Sequence, residues 1–474
     1  MKVTDEIIKS RLEKLERLKE EGIDPFGGRY EVNSNSQEIK EHFKEGEEKT
    51  VKIGGRIIFL RQHGKACFAN IKDAKGEIQV YAKYDLLGEK NYRFFTKLDI
   101  GDFIGVSGKV FRTLKGEITI SVEEFTFLTK SLHPLPEKYH GLQDVELRYR
   151  QRYLDLMVNK EVTNVFILRS KIIHKIREFL NKEDFLEVET PMMHPIAGGA
   201  LARPFETYHH ALNMKLFLRI APELYLKKLI IGGLNKVYEL NRCFRNEGIS
   251  IKHNPEFTMI EIYQALADYL SMMDLTERLI KFVALETLGS LKLSYQGQPI
   301  NLEEPWRRMT LLEAVKKYTG EDLTSLDKVK ELALKLQVEF QEEENEGEVL
   351  DHIFGKYVEP NLIAPTFIMD YPTVVSPLAK KKKDPLWVER FELYMAGQEL
   401  GNAYSELNDP FEQRERFKAQ KKEKMDEDFL QALEYGLPPT GGLGIGIDRL
   451  VMILADVSSI KEVILFPQLR PTED

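Results

Sequence analysis

Two cysteines are all that the 474 residues contain. Cys67 and Cys243 stand far apart and outside any metal-ligand spacing, which argues against a disulfide framework or a structural zinc site and leaves both as small core residues. Long hydrophobic runs are missing as well. No stretch approaches the roughly 20 apolar residues of a membrane span, and the opening MKVTDEIIKSRLEKLERLKE is charged throughout, unlike the apolar core of a secretory signal. The expectation is a cytoplasmic protein with no membrane partner. Positive charge in excess is the third absence: the net charge is −8, and phosphate backbones are held mainly by Lys and Arg. That sum argues weakly against a nucleic-acid partner, and distribution along the chain counts for more. What is present is 42% apolar and 30% charged residues, the balance of a globular protein long enough for two or three domains.

Residues 1–48 read as a helical extension. Ile8, Leu12, Leu15 and Leu18 recur at helical spacing, with Lys9, Arg11, Lys14, Arg17 and Lys19 around the outside, facing either water or phosphates. From 49 to 130 come five β-type runs divided by Gly and charged turns: VKIGGRIIFL, ACFANIKD, GEIQVYAKY, GDFIGVSGKVFRT and GEITISVEEFTFL. They suggest a small closed barrel of the OB type, a fold that binds single-stranded nucleic acid by stacking and polar edge contacts. Phe68 either belongs to the barrel core or stacks a base, with Arg61, Gln79 and Glu124 offering hydrogen bonds. Residues 131–155, with Pro134, Pro136 and Gly141 in a dense charge mixture, read as a linker. Residues 156–474 mix strands and helices in an order that suits an antiparallel sheet flanked by helices, so the class is α+β. Between 265 and 360 helices dominate, with a capping-box start at Thr310 and Glu313 and an acidic stretch, EFQEEENEGE, read as solvated. The run Lys380 to Lys383 reads as a solvated loop that could meet an RNA end.

The stretch NRCFRNEGISIKHNPEFTMIEIYQA, 241–265, ends in period-2 alternation. Phe257, Met259, Glu261 and Tyr263 share one strand face, and Thr258, Ile260 and Ile262 share the other, a core face. The first face lies beside a turn carrying Arg242, Arg245, Glu247, Lys252 and His253, and is either a wet sheet face or the floor of a site. An arginine fork such as Arg245 can hold a phosphate and a carboxylate of two reacting molecules, and an aromatic face such as Phe257 can carry a purine. Near the C-terminus GGLGIGIDR, ending at Arg449, runs into an apolar helix. Its glycines allow close backbone approach to a ligand, or simply tight packing.

These stretches resemble the three signature motifs of class II aminoacyl-tRNA synthetases. The helix around Ile172 to Leu180 with FLEVETP, ending at Pro191, resembles motif 1, FRNEG through HNPEF resembles motif 2, and GIGIDRL resembles motif 3. A barrel ahead of such a core is similar to the subgroup handling aspartate, asparagine and lysine. SLHPLPEKYHGLQD, LRYRQRYLDLM, TPMMHPIAGGA and IAPELYLK resemble its bacterial lysine-specific branch. The resemblance implies ATP-dependent attachment of L-lysine to tRNA(Lys) through lysyl-adenylate, with pyrophosphate and AMP released. It implies catalysis by positioning and charge stabilisation, with Arg245 and Arg449 as the catalytic residues. ATP would be held by Arg245, Glu247, His253, Asn254, Phe257, Glu392 and Arg449. Glu392 and Glu399, seven apart in RFELYMAGQEL, would bind Mg2+, more than one ion per site, and oxygen ligands suit that metal.

An ε-ammonium in a closed pocket needs carboxylates, because an unpaired buried charge costs several kcal/mol. Asn402, Tyr404 and Glu406 share one strand face by the period-2 count. The resemblance puts Glu261, Tyr263, Tyr404 and Glu406 around the lysine, Gly199 and Glu223 at its α-amino group, and Arg245 and Asn402 at its carboxylate. In the aspartyl relatives the position of Glu406 is an arginine, and that reversal of sign matches a cationic substrate. Where Tyr404 stands the bacterial branch tends to have Phe, so its hydroxyl adds a hydrogen-bonding group. Phe68 would stack the central anticodon base while Arg61, Gln79 and Glu124 read its edge. Motif 1 implies a homodimer. Three other readings stay open: an RNA-binding relative with an inactive core, a synthetase-like ligase that acts on a protein and, within the family, an aspartyl or asparaginyl enzyme.

Overall fold

Alternation of apolar and polar residues closes a barrel between residues 50 and 129 in the computed structural model, which describes residues 2–136, 142–199, 202–323, 325–420 and 425–471. Residues 137–141 of the expected linker, Gly141 among them, and Ala200 of TPMMHPIAGGA lie outside the described residues. The chain divides into two units, Met1–Gln143 and Asp144–Asp474.

In the first unit the strands Thr50–His63, Ala66–Lys72, Glu77–Lys83, Phe103–Arg112 and Ile118–Thr129 form the closed five-stranded barrel. Cys67, Ala69 and Ile71 from one strand and Ile78, Val80 and Ala82 from the next are all buried, small and branched side chains that fit a narrow interior. A helix, Tyr84–Phe95, that the sequence reading leaves out follows the third strand. It is broken at Gly88, whose φ of 74° only glycine adopts cheaply, and the break obscures the helical period. The N-terminal helix, Lys2–Glu20, buries Leu15 and Leu18 as expected, but it exposes Leu12 and buries Arg11. The Arg11 guanidinium donates to the carbonyls of Ser131, His133 and Ile100 at 3.0, 2.8 and 2.8 Å. One base expected on the outside is thus a clamp, since a planar fork can satisfy several carbonyls at once.

The second unit is built on an eight-stranded sheet in the order Arg307–Thr310, Thr366–Pro372, Trp387–Met395, Gln398–Ser405, Thr440–Gly446, Glu256–Ala265, Lys236–Phe244 and Leu186–Glu187. Its inner pairs are antiparallel and its two edge pairs parallel, so the sheet is mixed. Ile260, Ile262, Leu443 and Ile445 point to one core, shared with the helices Lys160–Lys182, Tyr269–Leu288 and Ile447–Leu454. The capping box at Thr310 and Glu313 is formed, and Asn345 with Glu348 makes a second inside the acidic stretch. No helix among the described residues is long and apolar enough to cross a membrane.

Two charged segments differ from their sequence reading. Residues 145–155, expected as linker, lie in the helices Val145–Arg150 and Arg152–Val158 of this unit. Arg152 and Asp155 are buried and paired at 2.5 Å, and Arg152 also donates to the carbonyls of Lys461 and Leu465 at 2.7 and 3.1 Å. Nor is Lys380 to Lys383 simply a solvated loop: Lys381 meets Glu412 at 2.8 Å and Lys382 meets Asp370 at 2.7 Å. Composition marks such stretches as wet, whereas a charge with its partner in place can be taken into the fold.

Candidate active site

Strand register sets two rows of side chains on one face of the sheet. In one row Glu261 stands opposite Gly444, Gly444 opposite Asn402, and Asn402 opposite Glu392. In the next, Tyr263 stands opposite Gly442, Gly442 opposite Tyr404, and Tyr404 opposite Arg390. Cross-strand partners share a face, so the glycines of the C-terminal motif form a trough between two walls of polar side chains. A Cβ at Gly442 would lie 1.9 Å from Glu406 Oε1 and 2.7 Å from the Tyr263 ring, and one at Gly444 would lie 3.3 Å from Met259 Cε. Space at position 442, rather than backbone angle, therefore demands glycine. Over this floor opens a cleft of about 440 Å3. Every residue expected in the catalytic site lines it except Glu406, whose carboxylate fills the space a side chain at Gly442 would take.

The acidic end gathers groups from three elements. Glu223 is the first residue of the helix Glu223–Ile231, and Gly199, at φ +86°, packs so that a Cβ there would lie 3.4 Å from Glu223 Cβ. The Tyr404 hydroxyl donates to Glu223 at 2.8 Å, and the Tyr263 hydroxyl donates to Glu261 at 3.2 Å. Burial, then the charge of Glu223, pushes the Glu261 carboxyl up to about 8. Burial also raises the Glu406 pKa, against the pull of Lys227. The sequence reading missed Lys227, which is buried with its ammonium against both Glu223 and Glu406. Its signal was available: Lys227 follows Glu223 by one helical turn, where opposite charges meet.

At the other end Arg245 follows the strand Lys236–Phe244, with its guanidinium carbon 5.0 Å from the centre of the Phe257 ring. Its Nε is buried without a hydrogen-bond partner, a donor whose desolvation is repaid only by an acceptor. Arg242, placed in the turn by sequence, lies on that strand instead and pairs with Glu256 at 3.2 Å. Arg449, in the first turn of the helix Ile447–Leu454, donates to the Glu399 carbonyl at 2.7 Å and reaches His253 Nε2 at 3.1 Å. Desolvation, then the charge of Arg449, lowers the His253 pKa. The neutral ring accepts at Nε2 and donates from Nδ1 to Ser250 Oγ at 3.0 Å. Glu247 is exposed on the wall. Asn254 is buried, and its amide is already engaged, donating to the Glu256 carbonyl at 2.6 Å and accepting from the Gln468 N–H at 3.3 Å, so it shapes the turn.

Glu392 is held by three donors: the Tyr371 and Tyr394 hydroxyls at 2.9 and 2.5 Å on Oε2, and Arg390 at 2.5 Å on Oε1. One lone pair of Oε1 stays available. Desolvation, then the charge of Glu392, raises the Glu399 pKa, the mark of two carboxylates facing one space. Among the described residues no group of three or more His, Cys, Asp or Glu could hold a metal ion. Two carboxylate oxygen donors and an otherwise open shell fit Mg2+, which takes its remaining ligands from phosphates and water. Arg390, also missed by sequence, donates to Asn402 Oδ1 at 3.1 Å and Ser376 Oγ at 2.9 Å. It stands two residues before Glu392, a spacing that places both on one strand face. A second tie joins the three motifs: Arg169 donates to Asp448 at 2.6 Å and to Thr258 Oγ1 at 3.0 Å, and the Thr258 N–H donates to Asp448 at 2.7 Å.

On the barrel, Arg61 stands opposite Phe68 and Phe68 opposite Tyr81, while Gln79 follows on the same face. The Phe68 and Tyr81 rings lie 4.8 Å apart, and Tyr81 lies 6.0 Å from Phe111, giving a ladder of three rings of which sequence singled out one. Phe68 is half-buried, and Gln79 Oε1 accepts from Thr119 Oγ1 at 2.9 Å. Glu124 is exposed on another strand, opposite Ser107, and its charge reaches the Tyr30 phenol.

The mixed sheet with its glycine trough, tied through Arg169 and Asp448 across all three motifs, is the architecture of a class II aminoacyl-tRNA synthetase. Residues 144–470 match the family model for class II tRNA synthetases (D, K and N), and residues 51–128 match that for the OB-fold nucleic acid binding domain. The chain belongs to the class II (D, K and N) tRNA synthetases. Among its relatives, the lysine-tRNA ligase of Carboxydothermus hydrogenoformans is 58% identical, covering 99% of each chain. That of Moorella thermoacetica is 55% identical over 100% of both, and that of Staphylococcus epidermidis 52% identical over 97% of both.

Proposed function

We propose that this protein attaches L-lysine to tRNA(Lys) at the expense of ATP, in the cytoplasm and as a homodimer. One observation carries the choice of amino acid: Glu223, Glu261 and Glu406 converge on one end of the cleft around a single resident ammonium. Such a pocket is short of positive charge, and a substrate with two ammonium groups supplies it. Aspartate or asparagine would bring a carboxylate or an amide to the same groups.

The remaining roles follow from position. Phe257 carries the adenine, and Arg245 leaves its ring to bridge the lysine carboxylate and the α-phosphate of ATP. Held in line, a carboxylate oxygen attacks the α-phosphorus, pyrophosphate departs and lysyl-adenylate remains. Charge grows on the non-bridging phosphoryl oxygens during attack, and the Arg245 fork stabilises it there without having to reorganise. Arg449 steadies the departing phosphates from the opposite side, with His253 and Glu399 fixing its direction. Glu392 and Glu399 would hold Mg2+, which would supply positive charge to offset that of the ATP phosphates. Asn402, oriented by Arg390, meets the lysine carboxylate. The terminal ribose hydroxyl of the tRNA then takes the lysyl group and AMP leaves.

The ring ladder on the barrel supports an anticodon reader, with Phe68 under the central base and Arg61 and Gln79 at its edge. Phe68→Ala is expected to weaken tRNA binding by about 1 to 3 kcal/mol, roughly 5- to 150-fold, while lysyl-adenylate formation is untouched. Filter binding beside a pyrophosphate-exchange assay separates the two, and equal loss in both would remove the assignment. Along motif 1, Ile167, Leu186, Met192 and Met193 are exposed and Leu186 lies on a sheet edge, a surface that suits a second copy. The reading as a whole is tested by ATP–pyrophosphate exchange with each standard amino acid. Lysine alone is expected to support exchange, and a response to aspartate or asparagine, or to none, overturns it.

A further inference from the structure

A buried ammonium already stands at the acidic end of the cleft. Lys227 is 0% exposed, its Nζ is 2.6 Å from Glu223 Oε1 and it is ion-paired with Glu406 Oε2. The groups around it come from every neighbouring element. Glu223 is on its own helix, Glu261 and Tyr263 are on the strand Glu256–Ala265, and Tyr404 with Glu406 lies at the end of the strand Gln398–Ser405. The ring of Phe429, on the helix Glu427–Glu434, closes the far side at 6.0 Å. Lys227 does not line the cleft, and acts from behind.

Charge can be counted directly. Glu223, Glu261 and Glu406 bring three negative charges when ionised and Lys227 returns one, which leaves two. Free lysine brings two ammonium groups to this end, its carboxylate going to Arg245. We propose that Lys227 is a specificity-determining positioning residue, which fixes Glu223 and Glu406 from behind and leaves the pocket two charges short, the number a diammonium substrate provides. A substrate with one ammonium leaves a carboxylate unpaired in a buried site, and that penalty, rather than shape alone, excludes it. The inference rests on the lysine reading above.

Removing the resident charge predicts a pattern that a merely structural lysine would not give. Three carboxylates without Lys227 hold protons more tightly, so a larger fraction of the pocket is neutral at pH 7 and recovers its charge as the pH rises. Lys227→Met is therefore expected to raise the lysine KM at least about 30-fold at pH 7, with kcat and the ATP KM within about threefold, and the defect should shrink toward pH 9. Glu406→Gln alone leaves one negative charge, whereas Lys227→Met with Glu406→Gln restores two. The double variant should bind lysine better than Glu406→Gln alone, a strong departure from multiplied single effects. Lysine KM, ATP KM and kcat from pyrophosphate exchange at both pH values, with thermal melting of each variant, make the test. A lysine KM within threefold of wild type in Lys227→Met, or equal losses in all three constants, overturns the proposal. Should Lys227→Met fail to fold, a double variant no better than Glu406→Gln overturns it. Exchange by the wild type is the control: no response to lysine there sinks the lysine reading, whereas a normal wild type beside an indifferent Lys227→Met sinks only the role of Lys227.

Discussion

Replacing Arg245 by alanine is expected to cut lysine-dependent pyrophosphate exchange by roughly a hundred- to a thousandfold, the scale on which loss of one well-placed transition-state donor is felt. The expectation rests on a fork whose Nε has no acceptor among the described residues. Its Nε is buried and unpartnered while its plane rests near the Phe257 ring at 5.0 Å, so the free protein bears the desolvation of a donor that only the reactants complete. Arg245→Lys should recover little, since a point charge cannot bridge a carboxylate and a phosphate as a planar fork does. Folding should survive, because among the described residues Arg245 has no side-chain ion pair of the kind that ties Arg169 to Asp448. Exchange rates with thermal melts as control check this, and activity within tenfold of wild type would remove Arg245 from the chemistry.

The second large effect belongs to Glu406. Glu406→Gln is expected to raise the lysine KM about a hundredfold or more with little change for ATP, since removing one partner of a buried charge pair typically costs 2 to 5 kcal/mol. Glu406 does not line the cleft, but its Oε1 would lie 1.9 Å from a Cβ at Gly442, so its carboxylate fills the side-chain space that the glycine leaves beside Tyr263 and Tyr404. The same pocket makes lysine binding pH-linked. With Glu261 held up to about 8 by burial and the charge of Glu223, the free site carries protons near neutrality. An arriving ammonium favours the ionised carboxylate and lowers that pKa, so binding should release protons below about pH 8 and progressively fewer above it. Calorimetry in buffers of different ionisation enthalpy reads the number, and Glu406→Gln should reduce it. An unchanged lysine KM in the variant would take Glu406 out of the pocket.

Much of this molecule was legible before folding, for an identifiable reason. The barrel strands and the strand Glu256–Ala265 each have one face in a core, and a buried face forces period-2 alternation on the sequence itself. The glycines at 442 and 444 were legible as a ligand trough or as packing; Gly442 is packed against Glu406 and Tyr263 on the cleft face, while Leu443 and Ile445 point the other way into the core. Charge was the poorer guide. Arg11 read as facing water or phosphates, Arg152 and Asp155 as part of a linker and Lys382 as part of a solvated loop, yet all are clamps or pairs, because whether a charge is solvated depends on partners that only the fold supplies. The helix Tyr84–Phe95 escaped because Gly88 interrupts its period.

By itself the sequence determined the order of the two units, the strands of the site floor, and which side chains share that floor, since these follow from local periodicity and from motif resemblance. The resemblance already put three carboxylates around one substrate, but only the tertiary structure decided how they meet one another and Lys227. Glu223, Glu261 and Glu406 come from a helix and two strands far apart in sequence, and the sum of their charges with that of Lys227 has meaning only once they occupy one dry space. The same holds for Arg390 on Asn402 and for Asp448 between Arg169 and Thr258. Coulomb interactions depend on distance and on the exclusion of water, and folding sets both.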